Sequence, residues 1–126
     1  MAKPKILAID DEKSFTEILK QYFELRKYDI DVVSNGEEGL KTFLKKKHDV
    51  VLLDLKMSGL NGDEIMKRIN EINKDTKTIF ITAFNDSGQT RARLIDEGAY
   101  AYIDKPVSSL KELEILINEA VSSVYL

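Results

Sequence analysis

The chain has 126 residues and a formal net charge of −3 at pH 7; 43% of its residues are hydrophobic and 33% are charged. These values fit one globular domain with one core, and they argue against a disordered chain and against non-specific nucleic-acid binding. The sequence has no cysteine and one histidine, which excludes disulfides, thiolate nucleophiles, cysteine zinc sites and metal sites built from several histidines.

Short apolar runs alternate along the chain with segments whose apolar residues recur at helical spacing. The pattern predicts strands at residues 5–9, 30–33, 50–53, 78–81 and 100–103, and helices at 14–27, 37–47, 63–73, 90–97 and 110–125. The continuous apolar run at 50–53 is typical of a strand that is buried on both faces. This alternation predicts an α/β fold with a parallel sheet, helices on both of its faces and right-handed crossovers.

The predicted helices carry apolar faces and terminal signals. The apolar faces comprise Phe15, Ile18, Leu19, Tyr22 and Phe23 in the first helix, Leu40, Phe43 and Leu44 in the second, Ile65, Met66, Ile69 and Ile72 in the third, and Leu113, Leu116, Ile117, Ala120, Val121 and Val124 in the last. Asn35, Asn61 and Ser109 each stand three residues before a glutamate, which predicts N-caps. Gly98 stands where the fourth helix is expected to end in a left-handed residue. His48 follows three lysines and is expected on the surface.

The sequence shows no targeting signal. The first apolar run stops at Asp10 and is too short for a signal-peptide core, and no stretch approaches the ~20 apolar residues of a transmembrane helix. We therefore expect a cytoplasmic protein without membrane contact, and the absence of cysteine fits a reducing compartment. Because the last predicted helix reaches the end of the sequence, residues 1–126 are expected to form a single domain.

Polar side chains follow four of the five predicted strands. They are Asp10, Asp11 and Glu12 after the first strand, Asp54 after the third, Thr82 after the fourth, and Asp104 and Lys105 after the fifth. Sites in open parallel sheets form at the carboxyl ends of the strands, near the point where the strand order reverses. We therefore expect carboxylates, a hydroxyl and an ammonium to converge at one edge of the sheet.

Crowded carboxylates shift their pKa values or bind a cation. A ligand set made only of oxygens favours a hard divalent ion, Mg²⁺ first and Mn²⁺ second. A phosphoryl group at this edge would be neutralised by the metal and Lys105 and would accept a hydrogen bond from Thr82, which are the usual parts of a phosphoryl-transfer site. Asp54, at the end of the most buried strand, is the candidate carboxylate nucleophile.

Five short motifs stand at these strand ends and in the loop after the third strand. They are Ile9-Asp10-Asp11-Glu12, Leu52-Leu53-Asp54-Leu55-Lys56-Met57, Gly59-Leu60-Asn61-Gly62, Ile81-Thr82-Ala83 and Asp104-Lys105-Pro106. With these motifs in this order, the chain resembles the receiver domain of two-component response regulators over essentially its whole length, and in particular the stand-alone regulators of chemotaxis and sporulation phosphorelays. The resemblance implies a flavodoxin-like, doubly wound five-stranded sheet of order 2-1-3-4-5 with five helices.

The resemblance also implies roles for individual residues. Asp54 matches the aspartate that is phosphorylated from the phosphohistidine of a histidine kinase or histidine phosphotransfer protein. Asp11 matches the direct Mg²⁺ ligand, and Asp10 matches the acid that usually holds the metal through water. Asp54 and the backbone carbonyl of Lys56 match the further metal ligands.

Thr82 and Lys105 match the two residues that grip the phosphoryl group on Asp54 and couple it to conformational change. Tyr102 matches the aromatic switch position, whose ring turns inward when Thr82 moves, and the Lys105–Pro106 bond is implied to be cis. The fourth helix, fifth strand and fifth helix, roughly residues 89–125, match the face that binds a downstream protein. The implied function is a phosphoacceptor signalling module that catalyses only its own phosphorylation and dephosphorylation and does not bind nucleic acid directly.

Three positions modify this expectation. Ser58 follows Met57 where the family usually has proline, and serine does not restrict φ, so the rigidity of this loop is altered rather than its chemistry. Lys56 and Phe84 occupy the positions that tune the lifetime of the acyl phosphate in the family. The bulk of Phe84 predicts that water is screened from the site and that self-dephosphorylation is slow.

Three alternative functions stay open at this point. A small metal-dependent phosphohydrolase with an aspartyl-phosphate intermediate commonly has a second acid two residues after the nucleophile, where this chain has Lys56. A flavin-type binder needs backbone N–H groups and hydroxyls in its first loop, whereas Asp10, Asp11 and Glu12 would repel a phosphate. A binding-only receiver locked in one state is opposed by the intact acids, Thr82 and Lys105.

Overall fold

The computed structural model describes residues 3–122, in which five strands alternate with five helices. The strands are β1 (Lys5–Ile9), β2 (Asp29–Val33), β3 (Val50–Leu53), β4 (Lys77–Thr82) and β5 (Ala101–Asp104). The helices are α1 (Lys13–Leu25), α2 (Gly36–Lys46), α3 (Gly62–Ile72), α4 (Gln89–Asp96) and α5 (Leu110–Ser122). The predicted inward position of Val124 and the predicted helix end at residue 125 lie outside the described residues. None of the helices within residues 3–122 is both long and apolar enough to cross a lipid bilayer.

The five strands form one parallel sheet in the order β2-β1-β3-β4-β5. This confirms the doubly wound α/β fold and the expected strand order. The register aligns the carboxyl ends of the strands, because Ile9 pairs with both Val33 and Leu53. Backbone hydrogen bonds continue past the strands, since the Asp54 N–H donates to the Ile9 carbonyl at 3.1 Å. The residues that follow β1 and β3 are therefore neighbours.

Each face of the sheet has its own apolar core. Ile6 and Ala8 of β1 lie in a core with α1 and α5, whereas Leu7 and Ile9 lie in a core with α2, α3 and α4. Successive side chains of a strand point to opposite faces, so a strand covered on both sides needs apolar residues at every position. This explains the continuous apolar run of β3, in which all four residues are buried.

Two of the three predicted N-cap residues make the expected side-chain bond. The Asn35 side chain accepts the Glu38 N–H at 2.9 Å, and Ser109 accepts the N–H of the third residue after it at 3.1 Å. Asn61 is the N-cap residue of α3, as predicted, but its side chain makes no capping bond. Other acceptors serve this end of α3, because the Gly62 N–H donates to the Leu55 carbonyl at 2.9 Å. Gly98 follows α4 with φ +119°, as expected.

Parts of the predicted apolar faces are exposed. Ile18, Leu44 and Ile72 were expected to face inward, and each is exposed. Neighbouring residues of a helix lie about 100° apart around its axis, and a helix that packs on a sheet buries only one side. Leu19 and Phe43 are fully buried on that side, so Ile18 and Leu44 fall at the margin of the buried stripe.

The expectation that His48 lies on the surface was also wrong. Its side chain is fully buried immediately before β3, and its ring stacks on Phe43 with centroids 6.1 Å apart. The His48 Nε2 lies 2.7 Å from an Asp31 carboxylate oxygen on β2. The local sequence around the three lysines contained no sign of this partner, because the pairing depends on how the fold brings β2 to the segment between α2 and β3.

Candidate functional site

The aligned strand ends bring three carboxylates together. Asp10 and Asp11 follow β1, and Asp54 follows its neighbour β3. One carboxylate oxygen from each of the three lies within 4.8 Å of the others. Asp10 and Asp54 are buried, whereas Asp11 is exposed. The site is therefore a partly buried carboxylate cluster with one side open to solvent.

Lys105 brings an ammonium to this cluster from the end of β5. Its Nζ lies 2.9 Å from Asp10, 3.6 Å from Asp54 and 2.8 Å from a fourth carboxylate, Glu12. Burial by itself lowers the pKa of Lys105, but the hydrogen bonds to Glu12 and Asp10 and the charge of Asp54 outweigh it, so the pKa is raised. Lys105 is thus a cation at neutral pH. Sequence reasoning placed Glu12 among the acids at this edge of the sheet but assigned it no role of its own.

Both oxygens of Asp10 are engaged. Its Oδ1 accepts the backbone N–H of Glu12 at 2.8 Å, and its Oδ2 faces the Lys105 ammonium. Burial raises the pKa of Asp10, and the negative charge of Asp54 adds to this, while the bonds from Glu12 and Lys105 lower it. The net direction is upward because burial disfavours the charged form of this carboxyl more than its two bonds favour it.

The chemistry of this donor set fits a hard divalent cation. The three clustered side chains offer only carboxylate oxygens, two of them buried, and their pairwise separations allow all three to face one ion. Mg²⁺ prefers such ligands, and a bound cation would offset the mutual repulsion of the three carboxylates. The residues present therefore fit Mg²⁺.

Thr82 stands at the same edge of the sheet. Leu53 pairs with Phe80, so Thr82 continues β4 by two residues beyond the end of β3. Its buried hydroxyl accepts the Phe84 N–H at 3.2 Å. The Thr82 carbonyl accepts the Lys105 N–H at 2.9 Å, which ties the loop after β4 to the residue that carries the ammonium.

Tyr102 is turned inward in this structure. It is buried in β5, and its hydroxyl donates to the Phe84 carbonyl at 2.6 Å. Burial raises the pKa of Tyr102, with smaller contributions from Asp104 and Asp86, so this hydroxyl stays protonated as a donor. The backbone of Phe84 therefore contacts the hydroxyls of both Thr82 and Tyr102. No local signal could have revealed this connection.

Lys56 and Phe84 meet at the rim of the site. The Lys56 Nζ lies 4.7 Å from the centroid of the Phe84 ring, a distance typical of a cation–π contact. Ser58 is exposed in the following loop, next to Gly59 with φ +83°. The Lys105–Pro106 peptide on the other side of the site is cis.

Comparison with known sequences identifies one family. Residues 6–118 match the family model of the response regulator receiver domain. The chain is 38% identical over 104 residues to the transcriptional regulatory protein ResD of Bacillus subtilis, which covers 82% of this chain and 42% of ResD. It is 35% identical over 109 residues to the transcriptional regulatory protein TrcR of Mycobacterium tuberculosis, covering 86% of this chain and 42% of TrcR. The chain spans about half the length of the curated relatives it matches.

Solved structures agree with this match. A receiver domain protein from Clostridium thermocellum has 33% identity and a TM-score of 0.85, with 96% of both chains covered. The response regulator TrrA of Thermotoga maritima, solved in complex with Mg²⁺–BeF, has 34% identity and a TM-score of 0.80, covering 94% of this chain and 99% of TrrA. The family model, the relatives and the fold all coincide over most of the sequence, and the chain therefore belongs to the family of response regulator receiver domains.

Proposed function

We propose that Asp54 is the phosphoacceptor of this chain and takes its phosphoryl group from the phosphohistidine of a histidine kinase or histidine phosphotransfer protein. Receiver domains are signalling modules that are phosphorylated on an aspartate with Mg²⁺ and interact with such partners. The observation that carries the assignment is the position of Asp54 at the end of β3, clustered with Asp10 and Asp11 and 3.6 Å from the Lys105 ammonium.

The proposed transfer exchanges one bond to phosphorus for another. A carboxylate oxygen of Asp54 forms the new P–O bond while the P–N bond of the donor histidine breaks, and its electron pair stays on the imidazole nitrogen. A carboxylate is a weak nucleophile, so catalysis depends on positioning and on neutralising the phosphoryl charge. Lys105 lies close enough to Asp54 to move onto a phosphoryl oxygen, and Thr82 supplies a hydroxyl at the same edge.

Bound Mg²⁺ neutralises negative charge on the phosphoryl oxygens. We assign Asp11 as its direct ligand, Asp10 as a ligand through water, and Asp54 and the backbone carbonyl of Lys56 as further ligands. The carboxylate cluster and the Mg²⁺–BeF complex of TrrA support this assignment. Mn²⁺ is the second ion that an all-oxygen site of this kind would accept.

The proposed switch connects Thr82 with Tyr102 through Phe84. If the Thr82 hydroxyl turns to the phosphoryl group, it no longer accepts the hydrogen bond from the Phe84 N–H. The carbonyl of the same residue, Phe84, accepts the hydrogen bond from the Tyr102 hydroxyl, so both contacts depend on this backbone segment. The resulting shift would reach the face formed by α4, β5 and α5, roughly residues 89–125, of which residues 123–125 lie outside the described range. This face is the proposed docking site of a downstream protein.

The proposed role is that of a single receiver domain over residues 1–126, which catalyses only its own phosphorylation and dephosphorylation. The five strands and five helices that form one sheet with two cores support this proposal. A signalling output is favoured over phosphohydrolase activity because Lys56, and not an acid, stands two residues after Asp54, with its ammonium over Phe84. The net charge of −3 favours a protein over nucleic acid as the downstream partner.

The test is to incubate the chain with acetyl phosphate and Mg²⁺ and to measure its intact mass. We expect the mass of one added phosphoryl group on the wild-type chain and no addition to Asp54→Asn or in EDTA. An adduct that persists on Asp54→Asn would contradict the assignment of Asp54. No adduct under any condition, followed by none with a panel of phosphorylated histidine kinases, would instead support a binding-only receiver.

A further inference from the structure

We propose that Glu12 is a positioning residue that holds the Lys105 ammonium away from Asp54 before phosphorylation and thereby slows the transfer. The inference rests on the proposed role of Asp54 as the phosphoacceptor. It concerns a residue that the catalytic and metal-binding assignments above do not use.

Glu12 is the N-cap residue of α1, but its side chain does not cap the helix. Serine, threonine, aspartate and asparagine are the residues that serve this position well. The Glu12 carboxylate instead reaches Lys105, 93 residues away in sequence, at 2.8 Å. Its backbone is fixed on both sides, because its N–H donates to Asp10 and its carbonyl accepts the N–H groups of Phe15 and Thr16. A rigid helix start therefore presents this carboxylate to Lys105.

The two shortest contacts of Lys105 are with groups other than the proposed acceptor. Its ammonium forms short contacts of 2.8 and 2.9 Å with Glu12 and Asp10, whereas Asp54 is 3.6 Å away, which is longer than a normal hydrogen bond. The Phe15 ring centroid lies 5.1 Å from the same ammonium. Glu12 and Phe15 are three residues apart at the start of one helix, so they contact Lys105 from the same side.

Of the two carboxylates in short contact with Lys105, Glu12 is the one whose contact breaks at the lower free-energy cost. Its side chain is 54% exposed, whereas that of Asp10 is 4% exposed. Breaking the contact with Glu12 returns a carboxylate to water, but breaking the contact with Asp10 leaves a buried charge without its partner. Lys105 is therefore expected to exchange Glu12 for a phosphoryl oxygen as Asp54 reacts. An exposed ion pair of this kind is weak, so its loss should change the rate only about two- to fivefold.

Three variants distinguish the effect of the Glu12–Lys105 contact from the effect of the negative charge on Glu12. Glu12→Gln keeps the length of the side chain and removes its charge. Glu12→Asp keeps the charge but is one methylene shorter, so it does not reach Lys105 from the same backbone position. Glu17→Gln is the matched control, because Glu17 is an exposed carboxylate on α1 and makes no ion pair within the described residues. All three are compared with the wild-type chain at equal ionic strength.

The first measurement is the rate at which acetyl phosphate with Mg²⁺ adds a phosphoryl group, followed by intact mass. We expect Glu12→Gln and Glu12→Asp both to react about two- to fivefold faster than the wild type and Glu17→Gln to react at the wild-type rate. If Glu12→Gln reacted faster than the wild type while Glu12→Asp reacted at the wild-type rate, the negative charge of residue 12 and not its contact with Lys105 would set the rate. That result would overturn the inference. Equal rates for all four chains would overturn it as well.

The second measurement is the ¹⁵N NMR signal of the Lys105 ammonium before any phosphodonor is added. We expect its protons to exchange with water faster in Glu12→Gln and Glu12→Asp than in the wild type, with unchanged melting temperature. A purely structural role for Glu12 would change the melting temperature and leave this signal as in the wild type, which would overturn the inference. Failure of the proposed function is distinguishable, because the wild-type chain would then gain no phosphoryl group even though the ammonium signal still responded to Glu12→Gln.

Discussion

At the scale of single residues, Phe84 has two roles, one for its backbone and one for its ring. Its backbone contacts the hydroxyls of Thr82 and Tyr102, and its ring lies under the Lys56 ammonium at the rim of the site. The ring is partly buried against the core formed with α2, α3 and α4. Replacing the side chain leaves the backbone bonds in place, so the two tasks can be tested separately.

We expect Phe84→Ala to shorten the half-life of the phosphorylated chain, because it opens the site to water. The loss of the contact with Lys56 and of the ring's bulk should give a change of about two- to fivefold. Phe84→Leu is the control, because it keeps most of the bulk and loses the cation–π contact. The measurement is the decay of the phosphorylated mass after the phosphodonor is removed. An unchanged half-life in Phe84→Ala would show that the ring does not screen the site.

Gly62 is required at the residue scale for a steric reason. A Cβ at this position would lie 2.4 Å from the Asp54 carbonyl oxygen and 3.0 Å from the Leu55 Cα, and both are backbone atoms that cannot turn aside. Gly59 is required for its backbone conformation and not for lack of space. A Cβ there would contact nothing within 4 Å, but its φ of +83° disfavours other residues.

We therefore expect Gly62→Ala to lower the free energy of unfolding by about 1–3 kcal/mol, as overpacking does, and to slow phosphorylation because it displaces Asp54. Gly59→Ala should cost about 1 kcal/mol through backbone strain and leave the phosphorylation rate unchanged. Urea unfolding and the rate of adduct formation measure both effects. Equal rates for Gly62→Ala and the wild type would show that α3 does not position Asp54.

At the scale of elements, α4 is the helix least anchored to the core. It has eight residues, of which Leu94 is buried, and it begins after two residues with positive φ, Ser87 and Gly88. The Asp86 carboxylate holds its start, because it accepts the Thr90 N–H at 2.9 Å and the Thr90 hydroxyl at 2.6 Å. These two bonds lower the pKa of Asp86, so it is ionised at neutral pH.

We expect Asp86→Ala to increase amide hydrogen exchange across residues 88–97 with a small change in global stability, because a weakly packed helix opens without unfolding the molecule. Asn35→Ala is the matched control, since it removes the cap of α2 and should affect exchange there and not in α4. Unchanged exchange in α4 would show that Asp86 does not hold this helix.

Element boundaries show what local pattern can predict. β1 and β3 have the predicted bounds, because each is an apolar run ended by a polar residue. The helices begin one residue earlier than predicted, except α5, since the backbone bonds of the first turn start at the residue after the cap. The missing side-chain cap at Asn61 has a different cause: the Glu64 N–H, which this cap would accept, donates instead to the Asp63 side chain at 3.0 Å.

At the scale of the whole molecule, two carboxylates join elements that are distant in sequence. Glu114 of α5 accepts the hydroxyls of Tyr22 and Tyr28 at 2.9 and 2.7 Å, which ties α5 to α1 and to the residue just before β2. Burial raises the pKa of Glu114, but the tyrosine hydroxyls and Arg26 outweigh it and the pKa is lowered. Glu114 is therefore ionised at neutral pH and accepts both hydroxyls as a carboxylate.

The second such carboxylate is Asp31 on β2, which joins this edge strand to His48 and Lys46. Burial raises its pKa, but the hydrogen bonds from His48 and Lys46 are together stronger and lower it. A carboxyl group whose pKa is lower in the folded than in the unfolded chain stabilises the fold above its ordinary pKa. That stabilisation is lost as the pH falls through the lowered value, because the folded chain must then be protonated.

We therefore expect the wild-type free energy of unfolding to fall as the pH drops below the ordinary values of 4.5 for Glu114 and 3.8 for Asp31. Asp31→Asn should be less stable at pH 7 by about 1–3 kcal/mol, because buried His48 loses a charged partner, and should decline less steeply in acid. Asp96→Asn, at an exposed site, is the control. Urea unfolding at pH 7, 5, 4 and 3 tests this, and parallel curves for Asp31→Asn and the wild type would contradict it.

The sequence by itself determined the fold class, the alternation of elements and the acids at the strand ends, because these follow from the order of neighbouring residues along each strand and helix. Only the tertiary structure decided that His48 is buried against Asp31, that Tyr102 bonds to Phe84 and that Glu12 holds Lys105. These partners are 17, 18 and 93 residues apart in the chain. Such contacts depend on strand register and on how the helices cover the sheet, so no local pattern of charge or hydrophobicity could specify them.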